Sequence, residues 1–170
     1  VFNILGPLAN PAMTNYIVLG VYEKELVRPM ADVMKNLGVK RALIVYGDDG
    51  LDEISISSTT SVCEIDGDEI KGHTIDPEEL GLTLPTITTS VNEMLVGGTA
   101  DENAIITKDI LTGKEQGAKR DIVLLNAGAA LYTIGKAETI KDGVKLAAEM
   151  IDSGKANEKL EQFIAYTNVK

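Results

Sequence analysis

The sequence predicts an α/β fold in which a mostly parallel sheet is flanked by helices. Three observations lead there. Asn15 to Tyr22 (N-Y-I-V-L-G-V-Y) and Arg41 to Tyr46 are short runs rich in β-branched and aromatic residues, the composition of buried strands. Between them Leu26, Met30, Val33, Met34 and Leu37 recur at helical spacing, and Gly38 is a natural stop. Strand, helix and strand within about 30 residues make a βαβ unit, which calls for a right-handed crossover and a parallel pair.

The remaining elements follow in order. Pro29 sits near the start of the first helix, where the loss of one N–H costs least. Thr59 to Ile65 and Glu69 to Ile75 flank Asp66-Gly67, a two-residue hairpin signal. Pro77 to Thr89 reads as a loop with two prolines. Thr99-Ala100-Asp101-Glu102, after Gly97-Gly98, is a capping box, so a helix starts there and runs to about Leu111, with Gly113 ending it. Lys119 to Thr133 joins Ile122-Val123-Leu124-Leu125 to the small residues Ala127-Gly128-Ala129-Ala130, the pattern of a central helix packed closely on its neighbours. Ile140, Val144, Ala147, Ala148 and Ile151 mark another helix, ended by Gly154. Leu160, Phe163, Ile164 and Thr167 mark a last one.

Composition narrows the function. With 170 residues, 44 % of them apolar, the chain can build one domain-sized core and is not disordered. A net charge of −10 argues against nucleic acid or an anionic membrane as partner, because phosphate recognition rests on Lys and Arg. Small anions remain possible through backbone N–H groups or a bound divalent ion. The single cysteine, Cys63, cannot form an internal disulfide, which fits a reducing cytoplasm. No signal peptide is recognisable, and no apolar run reaches the roughly 20 residues needed to span a bilayer. The chain opens at Val1 inside an apolar phrase, without an initiator methionine, and reads as cut.

The candidate site is acidic. Directly after the second strand, Gly47-Asp48-Asp49-Gly50-Leu51-Asp52-Glu53 places four carboxylates within six residues. Two unit charges about 4 Å apart repel by roughly 1 kcal/mol even in water. Such a group is therefore either fully solvated or offered to a cation, and ligand sites of open α/β sheets lie beyond the carboxyl ends of the strands. The residues alone leave two readings open: a solvated acidic turn, or Asp52 and Glu53 as ligands of Mg²⁺, which needs only one or two carboxylates besides waters and substrate phosphates. Asp48 and Asp49 read as turn formers. Gly6-Pro7 and Asn10-Pro11 make a stiff turn, with Pro7 expected to push Gly6 out of the helical region. Asn3 is a candidate buried polar residue. Gly97-Gly98 could cradle a phosphate, but Asp101 and Glu102 already occupy the positive end of that helix. His73 has no identifiable catalytic partner, Cys63 reads as a strand residue and Asn126 as a satisfied core amide.

These phrases, in this order, resemble the carboxyl-terminal half of the anthranilate phosphoribosyltransferase family. Val1-Phe2-Asn3-Ile4-Leu5-Gly6-Pro7-Leu8-Ala9-Asn10-Pro11 is similar to its N-I-L-G-P-L-x-N-P segment, and Gly50-Leu51-Asp52-Glu53 to its acidic metal motif. Gly97-Gly98 with Asn103-Ala104, Arg120 to Ala127, and Ile151 to Ala156 complete the set, over essentially all 170 residues. One departure is Tyr46, where the family commonly has His.

The resemblance implies the carboxyl-terminal part (1–170) of a large α/β domain of the nucleoside phosphorylase and phosphoribosyltransferase type. It implies transfer of the phosphoribosyl group of phosphoribosyl pyrophosphate to anthranilate, in tryptophan biosynthesis, by a Mg²⁺-dependent cytoplasmic homodimer. Asp52 and Glu53 would hold the metal, while Gly6 and Pro7 would border the anthranilate pocket; no residue is expected to act as a general base. A helical amino-terminal domain, a G-T-G-G-D phosphate loop, a K-H-G-N segment and an anthranilate-contacting arginine would all precede Val1, so the chain alone is expected to be inactive and to need that half as partner. The alternatives are a pyrimidine nucleoside phosphorylase of the same fold and a non-catalytic, nucleic-acid-binding relative; the Asp-Glu pair speaks against the first and the charge against the second.

Overall fold

The computed structural model describes residues 6–10, 12–82 and 94–168. Asn3, Pro11 and most of the expected proline loop after Leu82 lie outside them. The chain forms β1 (Tyr16–Gly20), a 3-10 turn (Lys24–Leu26), α1 (Val27–Asn36), β2 (Arg41–Gly47), β3 (Thr60–Asp66), β4 (Glu69–Ile75) and a second 3-10 turn (Pro77–Leu80). Four helices follow: α2 (Ala100–Leu111), α3 (Ala118–Thr133), α4 (Ile140–Asp152) and α5 (Lys155–Thr167).

The fold is α/β as expected, with a mixed sheet. The four strands lie in the order β1-β2-β3-β4, and β1 pairs parallel to β2 across the α1 crossover, Tyr16 opposite Arg41. The expectation of a mostly parallel sheet holds only for that pair, since β2–β3 and β3–β4 are antiparallel. Parallel strands need a crossover of a dozen or more residues, usually a helix. The two-residue turn between β3 and β4 is too short for one, and the loop from Asp48 to Thr59 forms no crossover helix but returns the chain beside β2. Asp66 still belongs to β3, paired with Glu69, so the two loop residues are Gly67 and Asp68. Gly67 carries the positive φ of +57° at the first loop position, which a residue with a Cβ adopts at a cost.

β2 is the buried centre of the sheet. Ala42 and Ile44 point to one face, Leu43 and Val45 to the other, and none is more than 1 % exposed. On the first face they meet Met30, Ala31 and Met34 of α1, with Cys63 and Ile65 of β3. On the second they meet Leu124, Leu125 and Ala129 of α3, backed by Val144, Ala147 and Ile151 of α4. A strand covered on both faces reads as a continuous apolar run, which is how Arg41 to Tyr46 reads.

Small residues let α3 and α4 touch backbone to backbone. A Cβ on Gly128 would lie 2.5 Å from the Val144 amide nitrogen and 2.9 Å from the Gly143 carbonyl carbon. A Cβ on Gly143 would run into the Gly128 carbonyl oxygen. The capping box at α2 forms as expected: Thr99 Oγ1 accepts from the Glu102 N–H, while Glu102 accepts from the Thr99 N–H at 2.7 Å.

Ala is worth about 1 kcal/mol more than Gly in a helix interior, so a Gly143→Ala variant tests which effect wins. The obstacle is backbone, which cannot swing aside, and overpacking typically costs about 1–3 kcal/mol. Gly143→Ala is therefore expected to lower stability by about 1–2 kcal/mol in urea unfolding; a gain would mean that the helices separate freely.

Candidate functional site

The loop from Asp48 to Thr59 leaves the carboxyl end of β2 and returns as β3. Its turn is closed by backbone bonds, with the Gly47 N–H donating to Leu51 O at 2.8 Å and the Gly50 N–H to Gly47 O at 2.8 Å. Gly50 has φ +94°, the position where this reversal needs a residue without a Cβ.

The structure sorts the four carboxylates into two kinds. Asp48 accepts from Lys24 Nζ at 2.8 Å, Thr59 Oγ1 at 2.7 Å and Ser61 Oγ at 3.0 Å. These bonds, the Lys24 one first, hold its pKa below the ordinary carboxylate range. Asp49 accepts from Ser55 Oγ at 2.6 Å and Ser57 Oγ at 2.5 Å. Both aspartates thus tether the loop, in keeping with a turn-forming role. Asp52 and Glu53 are exposed, and among the described residues no hydrogen bond or ion pair engages either carboxylate. Although Glu53 reaches solvent, the protein packed around its carboxyl pushes its pKa up, and the Asp52 charge adds to the shift.

The backbone of this pair is more fixed than its side chains. A Cβ on Gly20, the last residue of β1, would overlap the Asp52 carbonyl, so the loop presses directly on the end of the neighbouring strand. After Glu53 the chain dives into the core: Ile54, Ser55 and Ile56 are at most 1 % exposed. The Ser55 N–H donates to Thr60 Oγ1 at 3.0 Å, and Asn126 of α3 bonds the Ile54 backbone. Asn126 is therefore the satisfied amide expected, and its partner is the loop.

No group of three or more His, Cys, Asp or Glu suited to a metal occurs among the described residues. Two adjacent unengaged carboxylates still fit Mg²⁺, which takes its remaining oxygens from water and phosphate. They fit poorly with Zn²⁺, which prefers a closed set of nitrogen and sulfur ligands.

Gly6 and Pro7 lie elsewhere. Residues 6–8 are helical, so Pro7 does not exclude Gly6 from that region; the clash behind that rule acts largely on a Cβ, which Gly6 lacks. Pro7 lines a cavity of about 400 Å³ with Asn15, Met34, Leu37 and Val39. Asn15 and Val39 precede β1 and β2, so this cavity opens at the amino ends of the strands. At about 3.3 Å per residue, the seven residues of β2 put it roughly 20 Å from the acidic loop. The structure does not bring the two expected parts of the site together.

The remaining candidates take structural roles. Asn103 holds the Gly97-Gly98 loop by accepting from the Gly98 N–H at 2.8 Å and donating to Gly98 O at 3.0 Å. His73 Nδ1 is 4.0 Å from Glu64, whose other oxygen accepts from the Tyr132 hydroxyl at 2.6 Å. Cys63 is buried in β3. Tyr46 is half-buried and packs on the α1 side of the sheet.

Residues 1–157 match the family described as "Glycosyl transferase family, a/b domain". The anthranilate phosphoribosyltransferase of Methanobrevibacter smithii is 55 % identical over 99 % of this chain, a stretch that makes up 48 % of that protein. The crystal structure of the anthranilate phosphoribosyltransferase from Thermus thermophilus gives a TM-score of 0.87 at 39 % identity, covering 99 % of this chain and 48 % of that one. The Saccharomyces cerevisiae enzyme in complex with PRPP and Mg gives a TM-score of 0.79 at 30 % identity, covering 96 % and 46 %. The chain spans about half the length of the curated relatives it matches.

The depressed pKa of Asp48 yields a signed expectation. Its stabilisation is complete above the unfolded value of about 3.9 and is lost as pH falls through the lower folded value. Asp48→Asn should unfold at lower urea than the parent at pH 7, with the gap closing as pH approaches about 3. A gap that stays constant or widens on acidification would contradict the Lys24, Thr59 and Ser61 tether.

Proposed function

The chain belongs to the glycosyl transferase family with an a/b domain, and on that premise we propose that it is the carboxyl-terminal portion of an anthranilate phosphoribosyltransferase. The whole protein would transfer the phosphoribosyl group of phosphoribosyl pyrophosphate to the amine of anthranilate, releasing pyrophosphate. The observation that carries this reading is the Asp52-Glu53 pair, unengaged and held by its backbone at the carboxyl end of β2. The chain's similarity to anthranilate phosphoribosyltransferases supports the substrates, and the yeast structure with PRPP and Mg supports the cation.

The chemistry suits the groups present. The aromatic amine is already a nucleophile, and the barrier lies in parting pyrophosphate from the ribose carbon. Asp52 and Glu53 would hold Mg²⁺, whose chemistry there would be neutralisation of the leaving pyrophosphate's charge. This chain's own part is positioning: Gly20 and the loop tethers hold the two carboxylates at one end of the sheet. No general base is required, and Tyr46, packed into the α1-side core, is not poised to act as one.

For Gly6 and Pro7 we keep the proposal of a wall for the flat aromatic ring, with a geometric condition. Their cavity and the acidic loop must approach before both substrates can share one site. The whole enzyme is proposed as a cytoplasmic homodimer; the lone Cys63 supports the compartment, and the family resemblance alone supports the dimer. No described helix is long and apolar enough to cross a membrane.

Two experiments test this reading. In the full-length enzyme, Asp52→Asn with Glu53→Gln should lower the Mg²⁺-dependent rate at least about a hundredfold, roughly 2.7 kcal/mol, without changing the melting temperature by more than a few degrees. Near-parental turnover would remove the metal role. The 170-residue chain assayed alone should not consume anthranilate, followed by its fluorescence with Mg²⁺ and phosphoribosyl pyrophosphate, and should do so once an amino-terminal half is added. Turnover by the chain alone would show that the site is already complete within it.

A further inference from the structure

Ile54 follows Glu53 directly and is fully buried, so its backbone N–H and C=O both need partners inside the protein. One side chain provides both. The Asn126 carboxamide oxygen accepts from the Ile54 N–H at 3.0 Å, and its nitrogen donates to the Ile54 carbonyl at 3.1 Å. The second amide hydrogen goes to the Ile122 carbonyl one turn back on α3, at 3.0 Å. The carboxamide thus imitates a neighbouring strand residue, pairing with a stretch of chain that the sheet does not reach.

This bond closes a frame around the acidic pair. Upstream, Leu51 is tied to Gly47 and the Asp52 carbonyl rests against Gly20. Downstream, Ile54 is held by Asn126. Between the two anchors neither the Asp52 nor the Glu53 carboxylate takes a hydrogen bond or ion pair among the described residues, so the backbone sets where their side chains start and which way they leave the chain. The base of the downstream anchor is itself fixed. Arg120 Nη2 donates to Asp152 at 2.6 Å, joining the first turn of α3 to the end of α4, and the Gly128–Gly143 crossing blocks sliding.

We infer that Asn126 is a positioning residue for the cation site: through Ile54 it fixes the spacing and aim of the Asp52 and Glu53 carboxylates. This inference rests on the proposed role of that pair as metal ligands. Few side chains can replace it. Aspartate accepts but cannot donate, so it leaves the Ile54 carbonyl unpaired, and glutamine is one methylene too long for the same three bonds. Groups that orient metal ligands typically change metal affinity about 10–100-fold when removed.

The test uses the full-length enzyme with Mn²⁺ as probe, free ion being measured by electron paramagnetic resonance in the presence of phosphoribosyl pyrophosphate. Asn126→Asp should weaken Mn²⁺ binding about tenfold or more and raise the Mg²⁺ concentration for half-maximal rate in proportion, leaving the KM for anthranilate largely unchanged. Ile65→Val, in the α1-side core opposite Ala42 at the other end of the sheet, serves as a variant destabilised at a distance and should bind Mn²⁺ like the parent. Parental Mn²⁺ affinity in Asn126→Asp, or an equal loss in Ile65→Val, overturns the positioning role. Parental affinity in Asp52→Asn with Glu53→Gln would instead overturn the metal reading beneath it, a separate outcome. Should Asn126→Asp fail to fold, Asn126→Ser, which keeps a small hydroxyl, carries the same comparison.

Discussion

Burial of β2 on both faces is the constraint from which the other features follow. A strand with Ala42, Leu43, Ile44 and Val45 all out of water needs a layer of protein on each side. One layer can be local, because α1 is the crossover that links β1 to β2. The other has to come from far along the chain, and α3, with α4 behind it, provides it. Fully burying one such side chain is worth about 1.5–3 kcal/mol, so neither layer can detach cheaply. The acidic loop begins where this buried strand ends, and its chemistry inherits that rigidity.

The loop itself shows how charge is apportioned. Each of Asp48 and Asp49 takes hydroxyl or ammonium donors and commits its charge to holding the turn. Asp52 and Glu53 are left with backbone support only. Four carboxylates in one loop would repel one another; engaging two of them with donors reduces that repulsion and leaves the other two available. Ser55, Ser57, Thr59 and Ser61 are thus as much part of the site as the acids, because they determine which acids are free.

Much of this is legible in the sequence where the signal is local. The capping box at Thr99 and Glu102, the α1 crossover and the reversal near Gly67 all depend on neighbours close along the chain, and each falls within a residue or two of its expected place. The mixed sheet is not legible, because the βαβ rule speaks only of β1 and β2 and says nothing about the strands that follow, joined by the acidic loop and by the Gly67 turn. The acids stand out as a cluster, but their division depends on Lys24 and on hydroxyls of β3 and the loop before it. Asn126 acts on a residue 72 positions away, and no periodicity reports that. Gly20 reads like any strand glycine, and only the folded chain brings the Asp52 carbonyl against it. Resemblance groups Pro7 with the carboxylates, whereas its cavity lies at the other end of the strands.

The backbone contact between Gly128 and Gly143 also bears on motion. An α-helix repeats its face about every 5.4 Å, so a shift of α3 along α4 by one turn would bring Leu124 or Tyr132 into the place now held by Gly128. The crossing therefore behaves as a detent: the two helices can rock together as one lever but cannot glide past each other. Any opening or closing of the acidic loop against a substrate is then left to the loop itself, between β2 and β3, at its exposed Asp48–Thr59 and Asp48–Ser61 bonds.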